Sequence, residues 1–75
     1  MASLPLVGGS DAVKVFQRFG WTVARQSSSH IIMTKEGEIA SLSVPNHKEV
    51  ARGTLRSPIR SANLTVDEFT QQLKS

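Results

Sequence analysis

The sequence predicts an α+β domain in which helices cover one face of a three-stranded antiparallel sheet. The first observation is the order of the patterns, α-β-β-β-α with a short helix appended. The second is that the connections between the strands are short, which implies antiparallel neighbours. The third is the length of 75 residues, with 39% apolar residues, which allows one small core. We therefore expect a single domain over residues 1–75, with residues 1–9 as a leader.

The first helix is predicted to begin at an N-cap, Ser10, and to end at Gly20. The preceding Gly8-Gly9 is interpreted as a linker, and an anion site at the helix N-terminus is the alternative. One apolar face follows the spacing i, i+3, i+4 and i+7. It comprises Ala12, Val15, Phe16 and Phe19.

Three strands are predicted over residues 21–26, 30–35 and 38–44. Serines 27–29 form the first turn, and Glu36-Gly37 forms a tight hairpin. Pro45 ends the third strand, because proline cannot donate to a ladder. Alternation places side chains of the first strand on two sides. Trp21, Val23 and Arg25 share one side, and Thr22, Ala24 and Gln26 share the other.

The second helix is predicted to begin near Leu55 or at Pro58, because proline is tolerated only in a first turn. Thr54 or Ser57 is the expected cap, and Asn63 is the expected left-handed stop.

A last helix is predicted over residues 66–73. Thr65 and Glu68 have the spacing of a capping box, and Leu64 with Phe69 has that of a hydrophobic staple. The complete order is that of double-stranded-RNA-binding domains, although a fold alone does not fix a function.

Composition excludes several classes of protein. The absence of cysteine excludes disulfides and zinc–thiolate sites and fits a reducing cytoplasm, where we expect the protein to act. The longest apolar run is far below the roughly 18 residues of a membrane span, and the N-terminus lacks the pattern of a signal peptide. We therefore expect no membrane association. The net charge of +3 favours polyanionic partners only mildly.

Neither a metal site nor a serine nucleophile is expected. His30 and His47 lie 17 residues apart, and the carboxylates show no ligand spacing, so we expect no metal and no cofactor. A G-x-S-x-G elbow is absent. Adjacent strand residues point to opposite faces, so the Ser29 hydroxyl is not expected to meet the His30 ring, whereas Ser27 or Ser28 could reach it across the turn.

Two features are open to a functional or a structural interpretation. Arg52, Arg56 and Arg60 recur every four residues, and with Lys48 they either follow a phosphate backbone or form a solvated helix face. His30 is either an ordinary strand residue or a general base. Histidine side chains titrate near pH 6.5, so a neutral imidazole could take the proton of an RNA 2′-hydroxyl, which then attacks the adjacent phosphorus.

Three blocks of the chain, in order and spacing, resemble the signature of one known family. The first is Gly20-Trp21, Arg25-Gln26 and Ser29-His30; the second is Val44-Pro45, His47, Gly53-Thr54-Leu55 and Ile59-Arg60; the third is Leu64-Thr65 and Glu68-Phe69.

The chain thus resembles the HicA (YcfA-like) family, the toxins of type II toxin–antitoxin systems. The resemblance implies a metal-independent mRNA interferase, an RNA endonuclease that a HicB-type antitoxin neutralises. The family's catalytic histidine falls on His30. The resemblance also makes the basic residues plausible RNA contacts. The residues expected to hold phosphates are Arg25, Lys48, Arg52 and Arg56. Gln26 and Ser29 are expected to position the turn or a phosphate oxygen.

The chain departs from the family pattern at two positions. Ser28 replaces the usual glycine before the Ser-His pair, which costs about 1 kcal/mol if that residue has a positive φ. Pro58 replaces an ordinary helix residue. A non-catalytic RNA-binding module of the same fold, and a protein that only pairs with an antitoxin, are therefore the alternative functions. His47 is a candidate second proton donor.

Overall fold

The predicted α+β class is confirmed. The computed structural model describes residues 4–73. In this part of the chain, three strands form one antiparallel sheet in the order β1-β2-β3. The elements are α1 (Gly9–Arg18), β1 (Thr22–Gln26), β2 (His30–Thr34), β3 (Leu42–Pro45), α2 (Arg52–Ser61) and α3 (Val66–Leu73).

The core lies between one face of the sheet and the helices. Alternate residues of β2, Ile31 and Met33, are buried, whereas Ile32 between them lies on the outer face. The rings of Phe16 on α1 and Phe69 on α3 lie 5.3 Å apart between centroids and are tilted by 51°. Such an aromatic pair contributes about 0.5–1.5 kcal/mol beyond its buried area. The helices therefore cover the inner face and leave the outer face of the sheet open.

The N-terminal segment belongs to this core. Leu4 is only 1% exposed, and Val7 is buried and bridges to Val50. The Nε of Arg52 donates to the Leu4 carbonyl at 2.6 Å. In the described part of the predicted leader, residues 4–9, Leu4 and Val7 thus pack into the core, and Gly9 begins α1.

The prediction that Ser10 caps α1 is wrong. The N-cap position is Gly8, and no side chain caps the helix. The amide of Gly9 donates to the His47 carbonyl at 2.8 Å, and a Cβ on Gly9 would overlap the carbonyl of Pro45. The two glycines are therefore needed for close approach to the loop after β3, and not for a flexible linker.

The helix stops predicted from Gly20 and Asn63 are confirmed. Both residues have a left-handed backbone, with φ of 96° and 61°. The amides of each residue and of its successor donate to carbonyls of the preceding helical turn at 2.9 to 3.2 Å, which is the Schellman arrangement.

A β-bulge in β1 changes the predicted faces of that strand. Val23 pairs with Met33, but Arg25 pairs with Ile32, so Ala24 is an extra residue on this strand. The prediction that Arg25 shares a side with Val23 is wrong, because the bulge moves Arg25 to the outer face. The predicted first residue, Trp21, lies outside β1 and is buried.

β3 is shorter than predicted. It begins at Leu42, and residues 38–41 are outside the strand, with Ile39 fully exposed. The chain turns at Gly37, where φ is 87°, and regains ladder pairing only opposite Met33. Pro45 is the last residue of the strand and pairs with His30.

The predicted start of α2 is wrong, whereas α3 is confirmed. α2 begins at Arg52, after Ala51 at the N-cap, so Thr54 and Ser57 lie inside the helix and do not cap it. Pro58 therefore lies in the interior of the helix, where it is buried.

In α3, Thr65 and Glu68 form both bonds of the capping box. The Thr65 amide donates to Glu68 Oε1 at 2.8 Å, and the Glu68 amide donates to Thr65 Oγ1 at 3.0 Å.

Candidate RNA-cleavage site

His30 is the first residue of β2 and is exposed on the outer face of the sheet. The next residue, Ile31, is buried on the inner face. Alternation along the strand therefore directs the imidazole away from the core. The fold leaves this ring accessible to a large ligand.

The imidazole is held by its neighbour. His30 Nδ1 and Ser29 Oγ lie 3.2 Å apart. The expectation that these side chains would not meet is wrong, because Ser29 lies in the turn before the strand and does not follow strand alternation. When Nδ1–H donates to the serine oxygen, the lone pair is on Nε2, which remains available to accept a proton.

The serine turn is organised around Ser27. Its Oγ accepts from the His30 amide at 3.1 Å and from the Ser29 amide at 3.3 Å. The Ser27 amide donates to the His30 carbonyl at 2.8 Å. This arrangement of a serine side chain bonded to amides two and three residues ahead fixes the backbone just before the histidine.

Asn46 connects this turn to the loop after β3. Its side-chain amide donates to the Ser27 carbonyl at 3.1 Å, and its backbone amide donates to the Ser29 carbonyl at 2.9 Å. Sequence reasoning missed this contact. The available signal was an asparagine directly after Pro45, whose partner across the sheet is visible only once the register is known.

Ser28 does not carry the strain considered from the sequence. Within residues 4–73, Asn63 is the only residue other than glycine with a positive φ. The serine at this position therefore adopts an ordinary backbone conformation, and a glycine is not required there.

Two depressions meet at His30, one on the outer face of the sheet and one at its β3 edge beside α2, and we call them together the His30 groove. The first has a volume of about 370 Å³. The bulge in β1 is what brings Arg25 to its wall. This first depression is lined by Arg25, Ser27, His30, Ile32 and Ser43.

The second depression, about 260 Å³, lies between the sheet and α2. It shares His30 and Ser43 with the first. From the sheet side it is also lined by Ser41 and Pro45, and from α2 by Thr54, Ser57, Pro58 and Ser61.

The structure separates the other predicted contacts from this groove. Arg52, Arg56 and Arg60 are all on α2, but Arg56 and Arg60 line a different cleft, formed with Ile59 and other apolar residues. Lys48 and His47 are exposed in the loop after β3.

Gln26 is the last residue of β1 and pairs with Ile31. Of the predicted site residues, the structure therefore brings Arg25, Ser29 and His30 together.

Metal and membrane features are not found in residues 4–73. In this range, no group of three or more histidine and acidic side chains is arranged to hold a metal ion. None of the helices described is both long and apolar enough to cross a membrane.

The fold and the site define a small α+β protein with an exposed histidine, an arginine and several hydroxyls in one surface groove. A family model described as the HicA toxin of bacterial toxin-antitoxin matches residues 9–64, more than half of the chain. The chain belongs to this family and is a HicA toxin of a toxin–antitoxin system.

A solved structure supports the assignment. It is described as a toxin–antitoxin complex from Streptococcus pneumoniae and is 32% identical in sequence to this chain. The match covers 73% of this chain and 93% of the other, with a TM-score of 0.64. No curated protein matches the chain.

Proposed function

We propose that this toxin is a metal-independent mRNA interferase, an RNA endonuclease in which His30 is the general base. Members of the HicA family are generally ribonucleases. The observation that carries the proposal is the contact of 3.2 Å between His30 Nδ1 and Ser29 Oγ, in an exposed groove that also contains Arg25. This contact orients the ring and leaves Nε2 free to act on a substrate.

The proposed reaction uses a nucleophile that RNA itself supplies. Nε2 of His30 takes the proton of a 2′-hydroxyl, and the oxygen attacks the adjacent phosphorus. The bond from phosphorus to O5′ breaks, and the departing oxygen takes up one proton from solvent, while His30 releases to solvent the proton that it removed. The products are a 2′,3′-cyclic phosphate and a 5′-hydroxyl, so atoms and charges balance without water or metal as a reactant.

Arg25 is the proposed partner of the scissile phosphate. A guanidinium can form two parallel hydrogen bonds to phosphate oxygens and offset the charge that grows during attack. Lys48, Arg52 and Arg56 are proposed to contact phosphates farther along the strand, outside the His30 groove. Arg52 would use its terminal nitrogens for this contact, because its Nε already donates to the Leu4 carbonyl. Gln26 and Ser29 are proposed to position the turn.

The proposed partner is a HicB-type antitoxin that covers the groove. Support comes from the solved relative, which is a toxin–antitoxin complex. A protein that covers the outer face of the sheet would block access to His30 without disturbing the core. We place the activity in the cytoplasm, where mRNA is available.

A substrate with one missing 2′-hydroxyl tests the mechanism. Purified protein is incubated with a single-stranded RNA, and its main cleavage linkage is identified. The same RNA with a 2′-deoxy nucleotide on the 5′ side of that linkage is expected to resist cleavage there and to be cut normally elsewhere. Equal cleavage of the two substrates would refute the use of the 2′-hydroxyl as nucleophile.

A further inference from the structure

Pro58 leaves one backbone acceptor of α2 without its usual donor. In an α-helix, each carbonyl accepts from the amide four residues later. Pro58 lies inside the helix and has no N–H, so it cannot donate to the carbonyl of Thr54. This differs from proline in a first turn, where no intrahelical bond is lost. A hydrogen-bond donor from a ligand could bind to this carbonyl.

The wall that contains this acceptor belongs to the His30 groove. Thr54 and Pro58 both line the second depression, together with His30. The hydroxyls of Ser57 and Ser61 lie on the same wall. The residue that carries this acceptor is therefore on the side of α2 that borders the proposed reaction centre.

The two depressions differ in charge. Among residues 4–73, Arg25 lines the first, whereas no lysine, arginine, aspartate or glutamate lines the second. A phosphate would find a partner in the first and only hydroxyls in the second. A neutral, partly apolar group fits the second better, because the half-buried Pro45 ring is apolar and hydroxyls can either donate or accept.

We propose that the second depression is a nucleobase subsite beside the scissile phosphate, and that the Thr54 carbonyl makes it prefer a base with an exocyclic amino group. The inference rests on the proposed RNA substrate. Cytosine presents an N4 amino donor where uracil presents an O4 acceptor. A carbonyl oxygen accepts a hydrogen bond from the N4 amino group but cannot bond to O4, whereas serine hydroxyls can donate or accept and therefore suit both bases.

Binding of uncleavable oligonucleotides tests this preference without relying on catalysis. Tetranucleotides of cytidine and of uridine with 2′-fluoro sugars lack the nucleophile, so they are bound but not cut. We expect the full-length wild-type protein to bind the cytidine oligonucleotide about tenfold more tightly than the uridine oligonucleotide. This factor corresponds to one hydrogen bond that cytosine forms and one unfavourable contact between two acceptors that uracil makes. Equal dissociation constants, or tighter binding of the uridine oligonucleotide, would overturn the proposal.

Pro58→Ala tests the role of the Thr54 carbonyl. Alanine restores an amide donor to Thr54, so the preference for cytidine is expected to fall to less than about twofold. Pro5→Ala, at an exposed proline outside the groove, is the matched control and should keep the wild-type ratio. Circular dichroism checks that each variant is folded. An unchanged ratio in folded Pro58→Ala would overturn the role of the carbonyl.

A double variant keeps the test independent of the folding of Pro58→Ala. Ser57→Ala with Ser61→Ala removes hydroxyls that serve both bases, so both oligonucleotides should bind more weakly with little change in their ratio. Unchanged binding of both would place the base elsewhere. Cleavage of ordinary RNA by the wild type is measured separately. Intact RNA with a persistent cytidine preference would refute the proposed nuclease activity and leave the subsite in place.

Discussion

Three adjacent serines precede His30, and the structure predicts a different effect for alanine at each of them. Ser27 Oγ accepts hydrogen bonds from two backbone amides, and Ser29 Oγ contacts the imidazole of His30. The Ser28 side chain makes no hydrogen bond within residues 4–73. The series Ser27→Ala, Ser28→Ala and Ser29→Ala therefore separates a structural role, no role and a positioning role at nearly constant composition.

The magnitudes follow from the contacts. Ser27→Ala loses two bonds from backbone amides, of 3.1 and 3.3 Å, together with the contacts of the hydroxyl with the His30 carbonyl at 3.3 Å and with Ser29 Oγ at 3.4 Å. Each contributes about 0.5–1.5 kcal/mol, and the site is exposed, so water replaces part of the loss and about 1 kcal/mol of unfolding free energy should remain. That corresponds to a fall of about 4–8 °C in Tm for a chain of this size. Ser29→Ala should leave stability within about 0.5 kcal/mol of wild type.

Ser29→Ala, which should barely change stability, should clearly lower activity. Loss of its contact with Nδ1 frees the ring to rotate and removes the preference for a lone pair on Nε2. A loss of about 1.4 kcal/mol in positioning lowers kcat about tenfold with little change in KM. Ser28→Ala should match wild type in both measurements.

Urea unfolding and single-turnover cleavage of one RNA measure the two effects on the same preparations. The reasoning is refuted if Ser29→Ala cleaves at the wild-type rate, or if Ser28→Ala loses as much activity as Ser29→Ala. A Ser27→Ala variant as stable as wild type would contradict the structural role assigned to its hydroxyl.

Two further predictions concern charge and close packing. Arg25→Gln should lower kcat/KM about tenfold or more, because a phosphate contact is lost in the groove. Lys14→Gln, at an exposed position of α1, removes the same charge and should change kcat/KM less than about twofold. Equal losses would show that net charge alone matters. Gly9→Ala should cost about 1–3 kcal/mol in urea unfolding, because its Cβ would overlap the Pro45 carbonyl. Gly53→Ala, with nothing within 4 Å, should stabilise α2 by about 0.5–1 kcal/mol.

The features predicted correctly from the sequence are those that local chemistry decides. Gly20 and Asn63 end helices because the left-handed backbone suits them. The capping box of Thr65 and Glu68 needs only residues three apart. The position of β2 follows from an apolar run between turns. Each of these signals lies within a few residues of the feature it predicts.

The features that were missed depend on contacts between distant segments. The bulge in β1 exists because of its pairing with β2, and no signal in residues 22–26 indicates it. The close packing of Gly9 on Pro45 and the burial of Leu4 are likewise set by the tertiary structure. The early start of α2 shows that packing of its buried residues outweighs the cost of an interior Pro58.

The candidate site was predicted in part for the same reason. His30 could be singled out from its place between a polar turn and an apolar strand. Its contact with Ser29 was missed, because strand geometry was applied to a residue that lies in a turn. Asn46 was missed because it is 19 residues from Ser27, the residue it holds. The spacing of Arg56 along α2 predicts the helix face on which it lies, but not which residues surround that face.

The most direct test of the account is RNA cleavage in EDTA by wild type, His30→Ala and His47→Ala. His47 is the other histidine of the chain and lies exposed in a loop, so its variant controls for loss of an imidazole. We expect wild type and His47→Ala to cut the RNA at similar rates and His30→Ala to fall by at least about a hundredfold, the typical size of a general-base contribution. Cleavage by His30→Ala at the wild-type rate, or intact RNA with wild type, would contradict the assignment of His30 as the catalytic base.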